Sequence, residues 1–216
     1  MASWMIHLRI ADKLLDAIPN LSPIAFIMGS MAPDSGVPNE DWSAFSPSTA
    51  VSHYRQDNGT GKKVIDIHRY VEEFFTPELR KSYNEQQYSF YLGYYTHLLT
   101  DVLWSDLVAW PVRQKYPNVS WDEIKEDWYD QDFLYIQNHP GFRAFRAYLG
   151  SVGFVNRYMD FFAPDAFDNR REYITSFYLQ KKDNLDREYR YLTESSANQF
   201  VYDAVNRILD RLEELP

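Results

Sequence analysis

Cysteine is absent from the 216 residues. Its absence excludes disulfides, zinc ribbons, thiolate nucleophiles and iron–sulfur clusters, and leaves any metal site to His, Asp and Glu. A chain this long can bury a core without such staples. Long apolar runs are missing as well: the best, Ile24 to Met28, falls far short of a membrane span. The first residues, Met1-Ala2-Ser3-Trp4-Met5-Ile6-His7, lack a basic region followed by an apolar one, so the expectation is a cytoplasmic protein. Clustered positive charge is equally scarce. With a formal charge of −9 and no Lys/Arg run, the chain is poorly suited to duplex nucleic acid. No Pro/Gly/Ser-rich linker or internal repeat divides it, and a single domain over 1–216 is expected.

Aromatic rings are abundant: 17 Tyr, 14 Phe and 6 Trp. Rings of this number either fill the core and the seams between helices or line a cleft for an apolar or sugar-like ligand, and composition does not separate the two.

Helical periodicity dominates the pattern. Ile6, Ile10, Leu14, Ala17 and Ile18 recur at three- and four-residue steps, and Ser22-Pro23 opens a short second helix through Met28. From Gly29 to Gly61 the periodicity disappears, over a stretch too long for a plain connector. Trp42, Phe45 and Tyr54 argue that this loop is ordered. An amphipathic helix is predicted over 62–75 and a long, strongly apolar one over 83–110, stopped by Pro111. Ser120-Trp121-Asp122-Glu123 has the form of a capping box and starts another helix toward Asn138. Further helices are predicted over 142–149, 168–179 and 195–212. No strand-like alternation with hairpin turns is visible. The predicted fold class is all-α.

Five histidines are present: His7, His53, His68, His97 and His139. His97 and Asp101 stand four apart on the most apolar helix, so both side chains share one face and can reach one metal ion. Burying such a pair is costly unless each group has a partner, and a mutual hydrogen bond would serve as well as a metal. Asp34 ends the turn Gly29-Ser30-Met31-Ala32-Pro33-Asp34, whose Gly and Pro would fix its direction. His7 lies on the first helix and His53 in the long loop. His68 competes with His53, but its helix neighbours Asp66 and Glu72 favour a surface role. His139 has the position of a helix C-terminal residue, where the dipole favours a cation.

Taken in order, His7, Asp34, His53 and His97-x-x-x-Asp101 after Gly93-Tyr94 resemble the zinc-dependent phospholipase C family. That family shares an all-helical superfamily with the single-strand-specific nucleases. The resemblance spans roughly the first half of the chain. It implies that Asp34, His53, His97 and Asp101 hold one zinc ion, and that His7, with Asp101 bridging, holds a second. It also implies catalytic roles for Asp34 and Asp101. The chemistry suits such a donor set: two zinc ions about 3.5–4 Å apart clamp a phosphoryl group and activate a water as nucleophile.

The chain departs from the family in three places. Trp4 follows three residues instead of standing first. Leu107 occupies a position where the family has a further His; Asp106, Asp127, Asp130 and Asp132 could furnish oxygen ligands, but nothing selects among them. No export signal is apparent. The expected activity is therefore metal-dependent hydrolysis of a small phosphoric ester, such as a phospholipid head group or similar. A helical binding or scaffolding module that retains a partial metal site is the alternative. A second enzyme reading, a helical phosphohydrolase that uses adjacent His-Asp ligands, is disfavoured, because the chain has no such dipeptide.

Overall fold

The computed structural model describes residues 1–41, 43–57, 59 and 63–216. Trp42, offered above as a sign of order, and Lys62, the expected start of a helix, lie outside the described residues.

The fold is all-α. Helix α1 (Trp4–Ala17) and α2 (Pro23–Met31) lead into a 3-10 turn, Ala32–Asp34. The long loop then contains two short ribbons rather than only irregular chain. Strands β1 (Val37–Pro38) and β2 (Phe45–Ser46) pair antiparallel, and helix α3 (Thr49–Ser52) follows. Strands β3 (Arg55–Asp57) and β4 (Lys63–Ile65) form the second antiparallel ribbon, with Arg55 opposite Ile65. Runs of two and three residues are too short to show alternation, which is why the sequence pattern missed them. β4 also takes the residues where a helix was expected from position 62. Helix α4 (Ile67–Phe74) starts only after Asp66, whose side chain accepts a hydrogen bond from the Arg69 N–H. Helix α5 (Pro77–Ser82), capped by Thr76, was not anticipated.

Helix α6 (Glu85–Trp104) begins with a capping box between Asn84 and Gln87. It touches α1, α2, α4 and the last helix, and every residue from Ser89 to Asp101 is buried. Its hydroxyls satisfy themselves on the preceding turn: Ser89 donates to Glu85 O, Thr96 to Gly93 O and Thr100 to Thr96 O. Pro111 does not stop the helix. A π-helical turn, Ser105–Ala109, intervenes, and α7 (Trp110–Lys115) carries Pro111 in its first turn. Proline is tolerated there because a first-turn N–H needs no intrahelical partner, and the widened turn relieves its ring against the preceding carbonyls.

The remainder is α8 (Trp121–Asn138), α9 (Arg143–Gly150), α10 (Ala166–Leu179) and α11 (Glu194–Glu213). Ser120 caps α8 by accepting from the Glu123 N–H, as its sequence suggests. The rings are largely core: Trp104, Tyr70, Tyr94, Tyr148, Phe26 and Phe90 are among the largest fully buried side chains. One apolar core runs from Ala2 to Ile208.

The crossing of α2 and α6 positions the site. Glycines meet backbone there from both sides. A Cβ on Gly29 would lie 2.1 Å from Phe90 O, and one on Gly93 would lie 2.2 Å from Phe26 O. No flexible side chain can yield at these contacts, because the obstructing atoms are backbone. Gly93→Ala is therefore expected to destabilise the fold by about 1–3 kcal/mol or more. Gly150→Ala, with nothing within 4 Å, should be close to neutral. Thermal melts of the two variants check this, and equal melting temperatures would refute the tight crossing.

Asp132 ties three helices together. Ser3 Oγ, at the start of α1, donates to its Oδ1 (2.8 Å), and the Tyr178 hydroxyl of α10 donates to Oδ2 (2.5 Å). Burial pushes its carboxyl up to about 7, although these hydrogen bonds favour the charged form. A carboxyl that holds its proton more tightly when folded stabilises the fold fully below its unfolded value, about 3.9. That contribution is lost as pH rises through about 7. Asparagine at this position does not titrate. The melting temperature of the wild type relative to Asp132→Asn should thus fall between about pH 5 and about pH 8; parallel curves would contradict the assignment.

Candidate metal centre

Four elements deliver five side chains to one small volume. His7 comes from the second turn of α1, and Asp34 from the end of the 3-10 turn that follows α2. His53 is the C-terminal cap of α3, while His97 and Asp101 sit one turn apart on α6. All five side chains are buried, Asp34 being the most open at 8 % exposure.

The separations are informative. His53 Nε2 lies 3.2 Å from Asp34 Oδ1 and 3.3 Å from His97 Nε2. His7 Nε2 is 3.5 Å from Asp101 Oδ1. Asp101 Oδ2 is 3.8 Å from His53 Nε2 and 3.9 Å from His97 Nε2. Most of these distances are too long for good hydrogen bonds. Donors held about 2.0–2.1 Å from a tetrahedral ion are themselves about 3.3 Å apart, so the shorter of these separations are compatible with a shared ion.

Hydrogen bonding decides which ring nitrogens face inward. His97 Nδ1 lies 2.8 Å from Ser30 O, and a carbonyl can only accept, so Nδ1 carries the proton. Burial, with His7 beside it, pulls the His97 imidazolium down to about 3. The ring is therefore neutral near pH 7 and turns the lone pair of Nε2 into the cluster. His7 stacks on it, with centroids 3.8 Å apart and planes 3° from parallel, an arrangement that two cationic rings would resist. His53 Nδ1 shares a hydrogen bond with Ser52 Oγ (2.9 Å), and the Tyr94 hydroxyl donates to Ser52 O.

Both carboxylates are ionised. Burial opposes the charge on Asp34, but the hydrogen bond from His53 and the neighbouring rings hold its carboxyl below the usual range. Asp101 is held well below its ordinary value in the same way: burial opposes the charge, and the positive and hydrogen-bonding groups around it outweigh that. The Ala2 N–H donates to Asp101 Oδ1 (2.8 Å). Asp101 Oδ2 and both nitrogens of His7 nevertheless lack a hydrogen-bond partner. Orphaned buried polar atoms of complementary type, converging on one volume, form a donor set that fits a cation. Two groups satisfy the spacing for a shared ion among the described residues: His7, His97 and Asp101, and Asp34, His53 and His97. His97 belongs to both, so on these separations it is His97, rather than Asp101, that the two groups share.

The other candidates lie elsewhere. His68 is exposed, and His139 caps α8 with its ring stacked on Tyr135. Asp127 and Asp130 hold Arg187, each at 2.7 Å, and Asp127 also accepts the N–H groups of Arg190 and Tyr191. They pin the chain between α10 and α11. Asp132 is engaged by Ser3 and Tyr178, and Asp106 lies on the π-turn. Trp4 packs among Tyr129, Tyr173, Phe177 and Tyr178.

One neighbour escaped the sequence reading. Arg55, on β3, brings Nη2 to 3.9 Å from Asp101 Oδ2. Its only signal was a position two residues after His53, which becomes meaningful once the left-handed turn at Tyr54 between them is known.

Among known proteins, the model describing zinc-dependent phospholipase C matches residues 6–104, which include all five side chains. No curated protein and no solved structure matches. Over residues 6–104, the chain is therefore similar to the zinc-dependent phospholipase C family.

Proposed function

We propose that the protein is a zinc-dependent hydrolase of phosphoric esters, with His7, Asp34, His53, His97 and Asp101 as metal ligands. The observation that carries this reading is the orphaned pair within the cluster: Asp101 Oδ2 and His7 Nε2 are buried and have no hydrogen-bond partner. Leaving a buried carboxylate and imidazole unsatisfied costs several kcal/mol, and a divalent cation removes that cost. The donor set, imidazole nitrogen and carboxylate oxygen without thiolate, fits zinc.

When bound, zinc polarises the phosphoryl oxygen and makes a water acidic enough to supply the nucleophile near neutral pH. The chain's own residues prepare for this. Ser30 O fixes the His97 tautomer, Ser52 orients His53, and the Ala2 N–H steadies Asp101. Asp34, ionised and the more open of the two carboxylates, is placed to accept a hydrogen bond from the attacking water and orient it. Asp101 would be a ligand with one oxygen toward His7 and the other toward His53 and His97. The substrate is a small phosphodiester or phosphomonoester, of the kind found in a phospholipid head group. The 216 residues act as one domain around the site.

Asp101→Asn is the direct test, because it keeps the shape and removes the charge. Wild-type protein is expected to carry near-stoichiometric zinc, to hydrolyse members of a chromogenic phosphoester panel, and to melt at lower temperature once chelated. The variant should lose zinc, lose activity at least about 100-fold, and no longer respond to chelator. A lower melting temperature with unchanged zinc and turnover would reduce Asp101 to a structural residue. Zinc-loaded wild type that is inert on every ester would favour the binding-module reading.

A further inference from the structure

Arg55 enters the cluster from the solvent side. Its side chain is 18 % exposed, against 8 % or less for each of the five candidate ligands. Its Nη2 stands 3.9 Å from the same Asp101 oxygen that faces His53 and His97. That distance is too long for a hydrogen bond, and Asp101 Oδ2 has no such partner. Arg55 is therefore beside the carboxylate without being consumed by it.

The backbone is bent to achieve this. Tyr54, between His53 and Arg55, has φ 53°, a left-handed conformation that a bulky aromatic residue rarely adopts. Its ring is buried edge-on against Tyr70, and its hydroxyl donates to Glu73 (3.1 Å). With Tyr54 locked into the core, both of its neighbours reach Asp101. Strain of this kind persists where the surroundings over-determine it, commonly at functional sites.

A guanidinium beside a metal-binding carboxylate weakens the attraction of that carboxylate for the metal. The arrangement becomes favourable when an anion joins the cations at the mouth of the cluster. We propose that Arg55 is a substrate-contacting residue, whose guanidinium donates hydrogen bonds to the non-bridging oxygens of the phosphoryl group and then to the released phosphate. This assignment rests on the metal-dependent reading above. The planar fork of arginine matches two phosphoryl oxygens. Arg55 exchanges no proton; it compensates charge that grows on those oxygens.

A residue that only neutralises Asp101 would behave differently: its loss would disturb the metal-free fold and leave anion binding unchanged. Full-length Arg55→Gln and Arg55→Lys, loaded with zinc, separate the two roles. Zinc content, melting temperature, titration with inorganic phosphate and kcat/KM on the chromogenic ester are measured for each. Arg55→Gln is expected to keep wild-type zinc, bind phosphate at least about tenfold more weakly, and lose about 100-fold or more in kcat/KM. Arg55→Lys should recover only part of both, since a point charge replaces the fork. Wild-type phosphate affinity in Arg55→Gln with zinc retained would overturn the role of Arg55 and leave the metal reading standing. Wild-type protein that takes up no zinc would overturn both. If Arg55→Gln fails to fold, Arg55→Lys decides alone: weaker phosphate binding supports the assignment, and unchanged binding overturns it.

Discussion

The close crossing of α2 and α6 is the constraint on which the rest of the molecule depends. Gly29 and Gly93 let each helix lie against carbonyl groups of the other, at Phe90 and Phe26. One turn further along, that proximity sets Ser30 O against His97 Nδ1. The same contact carries α2 directly into the turn that presents Asp34. A local steric fact thus becomes an electronic one: the tautomer of His97 is chosen by how near two backbones can come. α1 then lays His7 flat on His97, and α3 brings His53 to its edge.

The cluster runs against the logic of a stable interior. Two ionised carboxylates, a neutral imidazole stacked on another, and a nearby guanidinium share a volume that apolar side chains would fill more favourably. The surrounding core supports this arrangement. Tyr70, Tyr94 and Phe90 are fully buried around α6, and Ser89, Thr96 and Thr100 bond back to their own helix. The rings supply the apolar packing, and three buried polar atoms without a hydrogen-bond partner, His7 Nδ1, His7 Nε2 and Asp101 Oδ2, meet at the site. Such a division is typical of a protein whose fold holds donors ready for a ligand.

What could be read from the sequence follows the range of each interaction. His97 and Asp101 were legible as a pair because a helix fixes their spacing locally. The Ser120 cap was legible for the same reason. The loop after Gly29 was not, since two- and three-residue strands are defined by partners distant in the chain and leave no periodic trace. Arg55 was hidden with them. Pro111 misled in the opposite direction, because a π-turn resets the hydrogen-bond ladder in a way no residue pattern announces. Asp127, Asp130 and Asp132 had equal standing as ligands until their partners Arg187, Ser3 and Tyr178, from 46 to 129 residues away, were known.

The metal-binding volume we propose lies between α1, α3, α6 and the turn after α2. Anomalous difference density from zinc-loaded crystals, collected on both sides of the zinc absorption edge, tests it most directly. Density is expected within bonding distance of His97 Nε2 and shared with His7 and Asp101, with Asp34 and His53, or with both groups. Zinc density elsewhere on the molecule, with this cluster empty, would contradict it.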